Sequence, residues 1–228
     1  MRQRFFYKYL PFANPKVCLR YGSTKATHND LESFLAYANT TNLSTTSTYY
    51  RGTLYEYTVL QALRYFNICL HRTGGTDDKG LDLRGRWVLP HHNDYSEGIP
   101  VVVQCKAEKK PVGPKYMREL EGATTAEDPD TIILLAALSR STLGARKVMM
   151  GSEKAMGMVA VQSYEEGGQV VQFMWNGAAA RILGNGLGVK LVFDSSVSDE
   201  DNDEKRGRVA LTWNAGVIKM KKHIPGVD

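Results

Sequence analysis

The stretch Ile99–Lys110, IPVVVQCKAEKK, decides how the rest of this sequence is read. Three consecutive valines predict a buried strand. The run then breaks at Gln104, Cys105 and Lys106, where apolar residues should continue. A lysine in mid-strand is costly to desolvate if buried and adds nothing if exposed. Gln104 and Lys106 are two apart, so on a strand they project from one face while Cys105 points to the other. Two polar side chains on one face of so apolar a strand require polar neighbours from adjacent elements.

Upstream, LDLRGRWVL (Leu81–Leu89) alternates, with Leu81, Leu83, Trp87 and Leu89 facing one way and Asp82, Arg84 and Arg86 the other. PHHNDYSEG links it to the next strand as a hairpin-like connection, and GGTDDKG (Gly74–Gly80) precedes it as a turn-rich loop. The clearest helix is Gly52–Ile68, where Glu56, Val59, Leu60, Leu63 and then Phe66 or Asn67 share one stripe. Before it, Asn29 or Asp30 caps a short helix, DLESFLAYA, and Asn39–Thr48 reads as a polar linker. Downstream come a helix in GPKYMRELEGATTAE, an apolar strand in Thr131–Ser139, a helix in TLGARKVMMGSEKA and a strand in MGMVAVQS. The order α-β-β-β-α-β-α-β predicts an α/β fold: a mixed, partly parallel sheet flanked by helices. From Gln169 the chain is strand-like again, in QVVQFMW, GVKLVF and GRVALTW. GNGLG reads as a hairpin turn between late strands, and SSVSDEDNDEKRGR as a solvated acidic loop. FMWNGAAARI and LTWNAGVIKM share a Trp-Asn step, a faint internal echo. The organisation expected is a basic arm over 1–29, an N-terminal helix and linker over 30–51, a core over 52–163, and a β-rich extension over 164–228.

A chain of 228 residues with 43% hydrophobic and 23% charged residues is ordinary for a globular protein. It has no run of eighteen apolar residues, so no membrane span is expected. Cys18, Cys69 and Cys105 are far apart and form no CxxC pair, which argues against a disulfide framework or zinc knuckle and fits a reducing compartment. The formal charge of +5 is concentrated at the N-terminus. Residues 1–29 hold Arg2, Arg4, Lys8, Lys16, Arg20 and Lys25 and no acid, and without these six positive charges the total of +5 becomes −1. Basic, acid-free, aromatic-rich and followed by Ser and Thr, this arm has the composition of a mitochondrial transit peptide. The alternative is a basic arm that stays attached.

Four polar residues occupy positions that the patterns reserve for apolar or structural roles: Glu56 on the helix stripe, Asp82 at the head of a strand, and Gln104 and Lys106 on the next strand. Metal-assisted phosphodiester hydrolysis uses such a set. A Mg²⁺ (or Mn²⁺) ion needs hard oxygen ligands, which Asp82, the Gln104 amide, the Cys105 carbonyl and Glu56 offer. The ion would activate a water, and Lys106 would meet the negative charge that grows in the transition state.

GTLYE, DDKGLDLRG and VVVQCKAEKKPVG, in that order and on helix, strand and strand, resemble the PD-(D/E)xK nuclease superfamily. The Mrr-like restriction endonuclease branch, which often has Gln in the lysine motif, is the nearest. More narrowly, YRGTLYEYTVLQAL and the Trp-Asn tail resemble the fungal mitochondrial "required for respiratory growth" family. The nuclease resemblance covers about Gly52 to Ser163, and the narrower one most of the chain. It implies a restriction-endonuclease-like core and a Mg²⁺-dependent deoxyribonuclease in the mitochondrial matrix. It matches Asp82 to the metal-binding aspartate, Gln104 and Lys106 to the lysine motif, Glu56 to the helix glutamate, and Asp78 to the first acid of a D-x-G-x-D loop. Gln104 departs from the superfamily's carboxylate and leaves the site one negative charge short. The resemblance implies DNA as partner and raises a homodimer, since nucleases of this kind often pair to cut both strands.

Each residue also has a plainer reading. Thr53-Leu-Tyr-Glu56 fits a capping box. Asp82 could end a turn, and Lys106 could snorkel from an edge strand. Lys109, Lys110, Lys115 and Arg118 form a basic patch after the lysine motif that suits either phosphate contacts or a solvated helix entry. His91, His92 and Asp94 sit in a polar turn without a third ligand at helical spacing. The chain as a whole could be a nucleic-acid-binding module without turnover, or an assembly factor of a mitochondrial complex.

Overall fold

The computed structural model describes residues 27–73, 80–92, 96–192 and 208–217. The basic arm up to residue 26, Asp78, Asp94 and most of the acidic run lie outside these. Helices α1 (Leu31–Thr40) and α2 (Thr48–Arg64) lead into strands β1 (Ile68–Arg72), β2 (Leu83–Trp87) and β3 (Ile99–Lys106). Then follow α3 (Pro114–Ala123), β4 (Ile132–Ala137), α4 (Leu143–Gly151), β5 (Met156–Val161), β6 (Val170–Trp175) and α5 (Gly177–Leu183). A small sheet of β7 (Leu187–Val192), β8 (Arg208–Trp213) and β9 (Gly216–Val217) completes the described chain.

The main sheet has six strands in sequence order, β1 to β6. β1, β2 and β3 pair antiparallel, β3, β4 and β5 parallel, and β5 and β6 antiparallel. This is the mixed, helix-flanked α/β sheet that the element order leads one to expect. The parallel centre explains why IILLAA carries no alternation: every residue of β4 is buried, because both faces are covered. On one face, Tyr55, Val59 and Leu63 of α2 pack against Val101, Val103 and Leu134, joined by α5 and β8. On the other, Met117 and Leu120 of α3 and Ala145 and Met149 of α4 cover Val102, Ile133 and Leu135.

The chain departs from the sequence reading at several points. α2 starts at Thr48 with Ser47 as its cap, whose hydroxyl accepts from the Tyr50 N–H. Thr53 is therefore inside the helix, and the capping-box reading of Glu56 is excluded. Leu81 is fully buried but packs with the α3–α4 layer rather than with Leu83. Gly80, at φ +77°, turns the chain just before it, so regular alternation begins only at Leu83. GNGLG is not a hairpin turn: Gly184, at φ +79°, ends α5, and the chain passes from helix to strand. Cys69 is disulfide-bonded, where the cysteine pattern favours reduced thiols.

Gly85 marks a close approach of β1 and β2. A Cβ there would lie 1.9 Å from the Cys69 carbonyl oxygen, a backbone atom that cannot turn aside. Gly85→Ala is expected to cost about 3 kcal/mol or more by forcing the strands apart. Urea denaturation checks this, and a change below about 0.5 kcal/mol would rule out the close approach.

Candidate functional site

The sequence-predicted residues gather at the carboxyl end of β3. Open α/β sheets usually bind ligands beyond the carboxyl ends of their parallel strands. β3 lies between β2 and β4, so Lys106 is not on an edge strand. Gly80–Asp82 runs alongside Gln104–Cys105 and is stitched to it. The Asp82 N–H donates to the Val103 carbonyl at 2.9 Å, and the Cys105 N–H donates to Asp82 Oδ2 at 2.6 Å. Gln104 Nε2 donates to the Gly80 carbonyl at 2.9 Å. A carbonyl only accepts, so this contact fixes the amide's orientation. Gln104 Oε1 is then left buried without a hydrogen-bond partner.

Lys106 leaves the sheet on the α3 side, where its ammonium lies 5.5 Å from the centroid of the Tyr116 ring. The Tyr116 hydroxyl donates to Glu108 Oε2 at 2.8 Å. Lys106 is half-buried rather than in bulk solvent. Glu56 reaches the same strand end from the opposite face, on α2, and does not share the face of Gln104 and Lys106. Its Oε2 accepts from Arg72 Nε at 2.6 Å. The Arg72 guanidinium also lies over the Tyr57 ring, 5.1 Å from its centroid. Burial alone would lower the Arg72 pKa, but the charge and hydrogen bond of Glu56 more than reverse this and leave it raised.

Cys105 reports on the whole group. Burial pushes its thiol well above the ordinary value, Asp82 and Glu56 push it further, and Arg72 and Lys106 pull it back. Two acids and two bases thus surround the end of β3. Such a thiol stays protonated and is no nucleophile at neutral pH. Its carbonyl, not its sulfur, is the part suited to Mg²⁺.

The donors present fit a hard, oxygen-liganded ion. Gln104 Oε1 is an orphaned buried acceptor, and Asp82 is bonded to the very next residue of the strand. The fit is spare, because among the described residues no three His, Cys, Asp or Glu come together as a metal cage. Lys109, Lys110, Lys115 and Arg118 are all exposed just beyond the strand end, with Lys115 paired to Glu119 at 3.6 Å. His92 takes no part: its Nδ1 accepts from the Leu89 N–H at 2.9 Å, and His91 stacks on Trp213 at 5.2 Å. A cavity of about 740 Å³ opens at the other end of the parallel strands, near Ile99, Asp130 and Arg181, and contains none of these residues.

The sequence reading does not single out Arg72. Yet Ile68, Leu70 and Arg72 share the α2-facing side of β1. A cation on an apolar face is the same signal that singles out Lys106.

Behind Arg72 lies a buried histidine. The Tyr57 hydroxyl donates to the His28 carbonyl at 2.9 Å, so His28 Nδ1, 2.7 Å away, donates to the Tyr57 oxygen. Burial and then the Arg72 charge hold the His28 pKa below its usual 6.5; burial does the same for His71 and His92. A folded pKa below the unfolded one means that the unfolded chain binds the extra proton. The stabilisation is therefore complete above about pH 6.5 and is lost as pH falls below it. Denaturation midpoints are expected to drop between pH 7.5 and 5.5, and His28→Asn, which keeps a donor toward Tyr57, should flatten part of that drop. A midpoint that does not move with pH would contradict this linkage.

The family model described as Required for respiratory growth protein 7 matches residues 47–99 and 91–191, well over half of the chain. A mitochondrial protein of Schizosaccharomyces pombe, itself uncharacterized, is 35% identical over 69% of this chain and 63% of its own length. The Required for respiratory growth protein 7 of Eremothecium gossypii is 33% identical over 44% of this chain and 43% of its own. That of Vanderwaltozyma polyspora is 31% identical over 34% and 46% respectively. The chain spans less than two thirds of the length of these curated relatives. No solved structure matches it. The matched segment holds α2 and all six strands of the main sheet, with Glu56, Asp82, Gln104 and Lys106 among them, and the chain belongs to the Required for respiratory growth protein 7 family.

Proposed function

We propose that the chain is a metal-dependent nuclease of mitochondria that hydrolyses phosphodiester bonds of DNA. The observation that carries this reading is the buried, unpartnered Gln104 Oε1 beside Asp82 at the end of β3, with Lys106 on the same strand. The α-βββ-α-β order with adjacent β2 and β3 is the frame that the nuclease resemblance implies. Mitochondrial placement rests on the basic, acid-free N-terminus and on the printed names of the relatives.

In this reading Asp82, Gln104 and the Cys105 carbonyl hold Mg²⁺, which when bound supplies Lewis-acid activation of water. Lys106 offers a positive charge where the phosphate gains negative charge. The exposed Lys109, Lys110 and Arg118 position the nucleic-acid backbone.

A second reading is a catalytically inactive nucleic-acid-binding or mitochondrial assembly protein that keeps the frame. The Glu56–Arg72 ion pair favours it, since that acid is already engaged. Incubation of DNA and RNA with Mg²⁺ or Mn²⁺ and with wild type, Asp82→Ala or Lys106→Ala separates the two. Cleavage by wild type alone supports the nuclease. Equal residual cleavage by all three marks a contaminant, and binding without cleavage by wild type favours the second reading.

A further inference from the structure

Cys69 stands apart from the rest of the core. It lies on β1, an edge strand of the main sheet, whose only strand partner among the described residues is β2. By strand parity it faces away from α2, opposite to Ile68 and Leu70, which pack beneath that helix. It is 6% exposed, yet it joins none of the apolar clusters formed by the described residues. Its sulfur is disulfide-bonded. The chain holds three cysteines, and Cys105 is a free thiol. Cys18, in the basic arm outside the described residues, is then the one partner that the chain can supply.

Reach allows this pairing. The described chain begins at Thr27, and the next residue is pinned in place. The His28 carbonyl accepts from the Tyr57 hydroxyl at 2.9 Å, and His28 Nδ1 lies 2.7 Å from the same oxygen. The Arg72 guanidinium lies 5.1 Å from the centroid of the Tyr57 ring. Arg72 ends β1, three residues and about 10 Å along the strand from Cys69. The nine residues from Cys18 to Thr27 span about 30 Å when extended. A disulfide needs its two Cα atoms within about 7 Å, and the arm meets that requirement without displacing any described residue.

We propose that Cys18 and Cys69 form a disulfide that ties the basic arm to the outer edge of the main sheet, so that the chain from Cys18 onward stays part of the folded protein. This selects the attached arm over a transit peptide removed beyond Cys18. It does not depend on the nuclease reading. Formation of the bond is a two-electron oxidation. Both S–H bonds break and one S–S bond forms. Two protons and two electrons pass to a disulfide-bearing donor protein, which is reduced to its dithiol. The bond closes a loop of about fifty residues and so removes conformational freedom from the unfolded chain. The tied arm also screens a sheet edge that would otherwise offer unpaired backbone groups to another strand.

The test is thiol trapping of the full chain. Protein recovered from its own cells is denatured in excess N-ethylmaleimide, digested with trypsin and analysed by mass spectrometry, with and without prior dithiothreitol. Without reductant, only Cys105 should carry maleimide, and the peptides Val17–Arg20 and Tyr65–Arg72 should appear as one linked species. Reduction should separate them and leave all three cysteines labelled. Maleimide on Cys69 in the unreduced protein overturns the proposal. So does linkage of Cys69 to a second copy of itself or to a small thiol, or an N-terminus that begins beyond Cys18. Urea denaturation of the oxidised full chain gives a second readout. Dithiothreitol should lower the wild-type midpoint by about 1 M. Cys18→Ser should lower it by the same amount and abolish the response to dithiothreitol. That variant changes no described residue, so it serves should Cys69→Ser fail to fold. A wild-type midpoint that ignores dithiothreitol, or a Cys18→Ser midpoint that still responds, overturns the tether.

Discussion

Asn176→Ala is expected to destabilise the fold by about 3–5 kcal/mol, among the largest effects of any single substitution in this chain. Asn176 is 1% exposed and stands between β6 and α5. Its Oδ1 accepts from the N–H groups of Ala179 at 2.9 Å and Met156 at 3.2 Å. Its Nδ2 faces the carbonyls of Met149, Ser152 and Lys154 at 3.1, 3.1 and 2.7 Å. One side chain thus caps α5 and ties the end of α4 and the start of β5 to it. Alanine would remove the cap and strand several buried backbone groups, each worth a desolvation penalty. Asn176→Asp should not rescue, because it keeps the acceptor but turns a second oxygen toward three carbonyls. Urea denaturation of the three proteins checks this; an aspartate variant as stable as wild type would mean that the carbonyl contacts contribute nothing. Asn214, in the second Trp-Asn step, is a different case. It sits at φ +48° in the turn between β8 and β9, so Asn214→Gly should be close to neutral. The two steps resemble each other in sequence only.

Asn176 also shows where sequence reasoning stops. The signal for α5 was present, an Asn cap, an Ala-rich run and Gly184 at the end, but seven residues between strand-like stretches give too little periodicity to outweigh them. Long or wholly apolar elements were legible because burial dictates their composition: α2 from its stripe, β4 from its unbroken run. The polar residues of the site were legible for the opposite reason, since Gln104 and Lys106 interrupt a pattern that Val101–Val103 had established. Which face each side chain takes was only partly legible. Parity separates Cys105 from Gln104 and Lys106, but it says nothing of where α2 packs. Nothing in the spacing of Glu56 and Arg72, sixteen residues apart, announces an ion pair; it forms because β1 follows directly on α2 and packs beneath it. Asp78, matched by resemblance to a loop acid, lies outside the described residues.

On the nuclease reading proposed above, Asp82→Asn is expected to leave stability within about 1 kcal/mol of wild type while lowering DNA cleavage by about 10²–10³-fold or more. The substitution is chosen because it separates two roles that alanine removes together. Asp82 Oδ2 receives the Cys105 N–H at 2.6 Å and so completes the ladder where β2 has not yet begun. Asparagine retains an oxygen acceptor for that N–H, although a neutral acceptor makes a weaker bond than a carboxylate. It lacks the negative charge, and with Gln104 already neutral the strand end would keep no carboxylate of its own to hold a divalent ion. Lys106→Met makes the complementary test: it preserves an unbranched apolar stem against Tyr116 and deletes only the ammonium. If charge at these two positions is the chemistry, both variants fold, both lose cleavage, and only Asp82→Asn loses Mn²⁺ binding. Should Asp82→Asn cleave as well as wild type, the carboxylate is a strand cap and nothing more, and the end of β3 is a structural seam rather than a catalytic one.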